Sequence, residues 1–406
     1  MQKRNLILIV AVVALLLLGW LLGRSGGTDD SVEGIGKPLL PGVAADVNQV
    51  TGLKLSGAGG EVIAEVRRDG EQWTVVSSHG YPADVSVVRR FLLALKDAVK
   101  RDVRTSKPER YASIGVEDPL ENADAKGMLV ELQGVAEPTR AIIGTYAAGG
   151  GDHTYARLAD QPQSWLVSGN LIPEKTAGNW LARDLVDVPS SRVLSVAITD
   201  PDGKTLNLVK PNESDINYTV QDVPKGRELS SESVGNAIAG VLGSLQLEGV
   251  RPAADAAVPE TGVYTGRYLT REGLVVTLQG WEDGEKRLLR LQAAVDPTTI
   301  EAWATQEQAR REAAAASAAA ASEASAAAEG GDQASEDAEA AAEQADAEPA
   351  DPAAAVAAIV QEQTSTVQAE ADAINARTQA WTFEVPTWKY ANLAKRMEDL
   401  LKPKEG

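Results

Sequence analysis

The 406-residue chain contains no cysteine. That absence excludes disulfides, a thiolate nucleophile, a cysteine-built zinc site and the acylated cysteine of bacterial lipoproteins, so attachment to a membrane must come from the peptide itself. Histidine is nearly as scarce: His79 and His153 are the only two, too few for a multi-histidine metal centre. No GxxxxGKS/T, GxGxxG after a strand, HExxH or SxxK motif occurs, and there is no GxSxG elbow between a strand and a helix. These gaps leave no catalytic, cofactor-binding or metal-binding residue to nominate, and they point to non-enzymatic work without a nucleotide. Basic residues are outnumbered, 39 Lys and Arg against 58 Asp and Glu for a net charge of -19, which argues against a nucleic-acid partner. Much of that charge is local. Residues 301–380 hold 16 acids and 3 bases, a net of -13, leaving -6 on the rest.

The longest apolar run comes first. Residues 6–22 read LILIVAVVALLLLGWLL, and 17 residues rising about 1.5 Å each just reach across a hydrocarbon core. Lys3 and Arg4 precede the run, whereas Asp29, Asp30 and Glu33 follow soon after Arg24, so the positive-inside bias places the N-terminus in the cytoplasm. No small-x-small cleavage pattern follows at once, which favours an uncleaved anchor over a signal peptide. The expectation is a single-pass inner-membrane protein with its bulk in the periplasm: an anchor over 1–24 and a flexible Gly-, Asp- and Pro-containing tether over 25–46.

The soluble part is self-similar. Residues 127–134 (GMLVELQG) and 273–280 (GLVVTLQG) share five of eight residues at an offset of 146. Trp73-Thr74-Val75 and Tyr218-Thr219-Val220, and Val103-Arg104 and Val250-Arg251, fall within one residue of that offset. Each unit reads as strand hairpins around one helix. In the first, Val62, Ala64 and Val66 alternate before an Asp69-Gly70 turn and a Trp73 strand. Pro82 suits a first helical turn, and Val88, Phe91, Leu92, Leu95 and Val99 form one apolar stripe. In the second, the stripe is Val234, Ile238, Val241, Leu242 and Leu245. The pattern predicts an α+β fold of mostly antiparallel sheets with packed helices, divided into module 1 over 47–187 and module 2 over 188–304.

Module 2 is interrupted. Residues 305–380 are rich in Ala and Glu, and Val360, Val367, Ile374 and Trp381 stand seven apart, as along one position of a coiled coil. The reading is a helical insertion with a disordered tip, solvated rather than functional, followed by a closing strand and C-terminal helix over 381–406.

The tempting side chains all have simpler roles. The Gly149-Gly150-Gly151-Asp152-His153 cluster reads as a β connection and His79 as a polar turn residue. Asp84 suits a helix start, Asp118 a turn before Pro119, and Glu109 has no partner in the sequence pattern. Trp73, Trp165 and Trp180 read as core.

Several phrases together carry a family resemblance: the Trp73 strand, Tyr81-Pro82-Ala83-Asp84 opening a helix, residues 111–119 (YASIGVEDP), and residues 179–185 (NWLARDL) leading to Val193 and Ile198. Over about residues 47–291 the chain resembles the bacterial family catalogued as domain of unknown function 4340. The resemblance implies a periplasmic protein behind one N-terminal span, an auxiliary component of ABC-type transport systems of the gliding-motility kind, with no assigned reaction. The function expected is therefore a membrane-anchored accessory or scaffolding protein with protein partners in a transporter assembly. A carboxylate-dependent glycan hydrolase and a tethered ligand sensor are the alternatives from other classes.

Overall fold

The computed structural model describes residues 33–147, 149, 151–328 and 352–403. The expected anchor, the first part of the tether and the expected disordered tip lie outside the described residues. Among the described residues no helix is long and apolar enough to cross a membrane. The chain is a mixed helix and sheet protein with antiparallel sheets, in two compact units: one runs to Ser77 and over Pro82–Trp180, the other takes Ser78–Tyr81 and the chain from Leu181.

The first unit begins with α1 (Pro41–Ala45) and then sets down β1 (Gly52–Ser56), β2 (Val62–Asp69), β3 (Gln72–Val75) and the two-residue β4 (Tyr81–Pro82). After α2 (Val85–Lys96) come β5 (Lys100–Val103), β6 (Met128–Gln133), β7 (Arg140–Tyr146), β8 (His153–Leu158) and β9 (Ser164–Ser168). The order across the sheet is 4-3-2-1-6-7-8-9-5. Asp84 caps α2, its carboxylate accepting from the Ser86 and Val87 amides at 2.8 and 3.2 Å. The cap fixes the helix start at Val85, so Pro82 belongs to β4 rather than to the first turn. Val99 falls beyond the helix, its amide donating to the Ser168 hydroxyl. Val88, Phe91, Leu92 and Leu95 remain as the buried stripe. The expected flexible tether is corrected in its second part. Leu39, Leu40 and Val43 are fully buried, and backbone bonds from Gly36 to Lys100 and from Leu39 to Ala98 cover the free edge of β5.

The second unit contains β10 (Asp184–Val186), β11 (Val193–Thr199), β12 (Thr205–Val209), β13 (Thr219–Val220), α3 (Asn236–Ala239), β14 (Leu245–Gln246) and β15 (Gly249–Pro252). There follow β16 (Tyr264–Thr270), β17 (Leu274–Asp283), β18 (Lys286–Val295), α4 (Pro297–Ala328), α5 (Pro352–Thr378), β19 (Trp381–Glu384), α6 (Thr387–Leu393) and α7 (Met397–Leu400). Strands β10 and β14 pair separately, and the main sheet runs 13-12-11-16-17-18-19-15. Apart from the short β4, this is the strand order of the first unit. Two matched segments keep equivalent places, on β3 and β13 and at β5 and β15. The third does not: GMLVELQG lies on β6, beside the starting strand β1, whereas GLVVTLQG lies on β17, one strand further out. The counterpart of β6 is β16. Both copies instead begin where a backbone or side-chain neighbour leaves no room for a Cβ, Gly115 carbonyl at Gly127 and Ile300 at Gly273.

By the same correspondence, the insertion between β18 and β19 replaces what in the first unit is the short loop of residues 159–163. It starts at Pro297, earlier than composition suggested, because Ile300 and Ala304 are fully buried and seat the first turns of α4. Nor is α5 merely solvated. It packs on β17 and β18 through Ile359, Val367, Ala371, Ile374 and Thr378, and the Asn375 amide bonds both backbone groups of Ala293 at 2.8 Å. The heptad reading drifts because a straight helix on a sheet keeps a period near 3.6, so Ile359 rather than Val360 is buried and Trp381 begins β19. The helix expected through Val234 and Leu245 shrinks to α3 and a 3-10 turn, Gly240–Leu242. Gly235, Gly240 and Gly243 interrupt it, each about 1 kcal/mol worse than Ala inside a helix, and Leu245 joins β14.

Candidate functional site

The insertion makes one wall of a cleft in the second unit, about 870 Å³ in volume. Thr299, Ala302, Trp303, Gln306 and Arg310 line it from α4. Their spacing of three and four residues places them on one helical face. The facing wall is the end of the sheet: Arg192 just before β11, Asn212 and Glu213 just after β12, and Arg271 and Glu272 in the turn from β16 to β17.

Two of these arginines are fixed in different ways. Arg192 grips Glu370 on α5 with Nη1 and Nη2 at 2.9 Å each and reaches Glu272 with Nε at 3.5 Å. Hydrogen bonding to Glu370, joined by the charge of Glu272, raises its pKa further above the usual arginine value, against the effect of burial. Arg271 donates instead to the backbone carbonyls of Pro211 and Lys210. Among the described residues it has no carboxylate partner, and its buried Nε–H has no acceptor. Its charge reaches Tyr218, whose phenol burial pushes up to about 12 while Arg271 pulls the other way. Arg310 is held loosely, 3.8 Å from Glu213. The arrangement therefore offers a positioned guanidinium without a counter-ion, an indole face, and amide and carboxylate groups able to meet hydroxyls.

A second depression of about 670 Å³, also in this unit, lies beside Arg183, Glu248 and the exposed Trp388. Lys389 below it is buried, and its ammonium donates to the carbonyls of Gly240, Val241 and Gly243. Burial lowers its pKa below the ordinary lysine value, with Asp187 opposing. This lysine ties the α3 loop to α6 and is satisfied by backbone.

The side chains weighed in the sequence do not converge. His79 is exposed in a left-handed turn at φ 60°, followed by Gly80. Asp152 accepts from the Tyr146 hydroxyl at 2.8 Å in the connection from β7 to β8, and His153 begins β8; Gly150 lies outside the described residues. Asp84 caps α2, Asp118 accepts from the Leu120 amide at 2.9 Å, and Glu109 is exposed in a 3-10 turn. Trp165 and Trp180 are buried, Trp180 edge-on to Phe91, while Trp73 is half-buried under Arg68. The cleft residues escaped sequence reading because Arg192, Arg271 and Trp303 are far apart in the chain and match no motif. The helical spacing from Thr299 to Arg310 was the one available signal.

No protein of curated function and no solved structure matches the chain. A family model does match, from Trp73 in β3 to Gly262 just ahead of β16, and so leaves α4 and the whole insertion outside it. Residues 73–262 match the family described as domain of unknown function (DUF4340).

Proposed function

We propose that the protein is a membrane-anchored periplasmic accessory or scaffolding subunit working beside an ABC-type transport assembly of the inner membrane. In this reading residues 6–22 span the membrane once with the N-terminus cytoplasmic, and the two sheet units, products of a duplication, supply surfaces for protein partners. The observation that supports it is how the buried Arg157 and Lys389 and the half-buried Arg290 are used. Arg157 donates to the carbonyls of Val116, Ala159 and Gln161 at 3.0–3.1 Å, Arg290 to those of Ala253 and Ala256, and Lys389 to three more. A cation whose donors go to backbone carbonyls staples loops to sheets. Such stapling suits a rigid scaffold. The test is affinity purification of the detergent-solubilised full chain, under conditions that retain known complexes. Recovery with a permease and its ATPase supports the proposal; recovery without either subunit sinks it.

A further inference from the structure

We propose that the insertion exists to build a binding site, and that the cleft between α4 and the sheet end of the second unit takes an acidic sugar, a monoanionic saccharide bearing a carboxylate. The proposal stands independently of any transporter role.

The equivalent connection in the first unit, residues 159–163, carries no helix. The helical wall is therefore peculiar to the second unit. Helix α4 is held where a wall is needed: Ile300 and Ala304 are fully buried on one side, and Trp303 and Gln306 face the cleft between them and Arg310. Beyond Arg310 the described side chains of α4 are exposed, so the packed and cleft-lining parts of the helix coincide.

The chemistry of the walls selects the ligand. Arg271 is an anion receptor already in position, since its two carbonyl contacts orient the guanidinium without neutralising it. Its Nε–H is buried, so a ligand is met by the part of the guanidinium that lines the cleft. Glu213 and Glu272 also line the cleft, and they repel a compact dianion such as phosphate while accepting hydrogen bonds from hydroxyls. Gln306 and Asn212 add amides of both polarities, and the half-buried Trp303 offers a ring face for a flat apolar surface. A ligand that is anionic at one point, rich in hydroxyl donors and ring-shaped satisfies all of these together. A purely apolar molecule satisfies only Trp303.

The test is calorimetric titration of the purified full chain in detergent with D-glucuronate and N-acetylmuramate, alongside D-glucose and inorganic phosphate. At least one acidic sugar should bind, with glucose and phosphate weaker by about tenfold or more. Trp303→Ala and Arg271→Gln should each weaken the acidic sugar by about tenfold or more. Should Arg271→Gln fail to fold, Trp303→Ala and Gln306→Ala carry the comparison, because Trp303 is only half-buried and Gln306 is exposed. No binding of either acidic sugar at about 10 mM overturns the proposal, as does equal binding of glucose, tighter binding of phosphate, or wild-type affinity in Trp303→Ala.

Discussion

Arg192 and Glu370 meet fork to fork, with both guanidinium Nη atoms 2.9 Å from the two carboxylate oxygens, although 178 positions separate them in the chain. This pair joins the start of β11 to the returning helix of the insertion. Each side chain is about one-third exposed or less. Charge-assisted bidentate contacts of that kind are worth about 1–2 kcal/mol after solvent screening. A double-mutant cycle with Arg192→Met and Glu370→Gln, followed by urea denaturation, should give a coupling of that size. Strict additivity of the two substitutions would show the contact to be energetically idle.

Asp296 caps the other helix of the insertion, accepting from the Thr299 amide at 3.0 Å and pairing with Arg267 at 2.8 Å. The Thr299 backbone bond, with Arg267 assisting, holds its pKa below the ordinary 3.8. A depressed folded pKa means the unfolded chain binds more protons in acid, so this contribution is present above the ordinary value and lost as pH falls through the folded one. Asp296→Asn should therefore differ most from wild type in urea midpoint near neutrality and approach it as pH falls below the ordinary carboxylate value. A difference that stays constant with pH contradicts the assignment. Asp296→Ala should cost about 1 kcal/mol at pH 7.

Gly273 turns β16 into β17 directly beneath α4. Its φ is +96°, and an added Cβ would press on Ile300 Cγ1 and lie 3.2 Å from the Asp296 carbonyl oxygen. Gly273→Ala should cost about 2–4 kcal/mol through combined backbone strain and overpacking. Gly284 is the control: its φ is +61° with open space around it, so Gly284→Ala should cost only about 1 kcal/mol of strain. Thermal melts in which both variants fall equally would remove the role given to Ile300.

Tyr268 on β16 is fully buried, and among the described residues its hydroxyl has no hydrogen-bond partner. Burial drives its pKa upward. Because the native fold leaves that hydroxyl desolvated and unpaired, Tyr268→Phe should keep or raise stability, by as much as about 1–2 kcal/mol. A marked loss in melting temperature would reveal a partner for the hydroxyl in solution.

Much of the architecture was legible along the chain because it rests on local rules. Alternation at Val62, Ala64 and Val66 marks β2, the three-and-four spacing from Val88 to Leu95 marks the buried face of α2, and Ala-rich composition marks α4 and α5. Those signals depend on backbone period and side-chain type, which neighbours in sequence determine. Aligning the two units failed at one point for the same reason. GMLVELQG and GLVVTLQG look alike because each begins at a crowded glycine and continues as a buried strand, a local demand that says nothing of which strand lies alongside.

By itself, the sequence determined the antiparallel α+β character, the acidic Ala-rich insertion and the match of residues 73–262 to a domain family of unknown function. Tertiary structure alone decided that the insertion is docked rather than free, that residues 36–45 belong to the first unit, and that Arg192, Arg271 and Trp303 share a cleft. The division has a physical cause. Periodicity is written residue by residue, but sheet order and the lining of a cleft depend on contacts closed across long loops, whose cost and reward appear only when the whole sheet has formed.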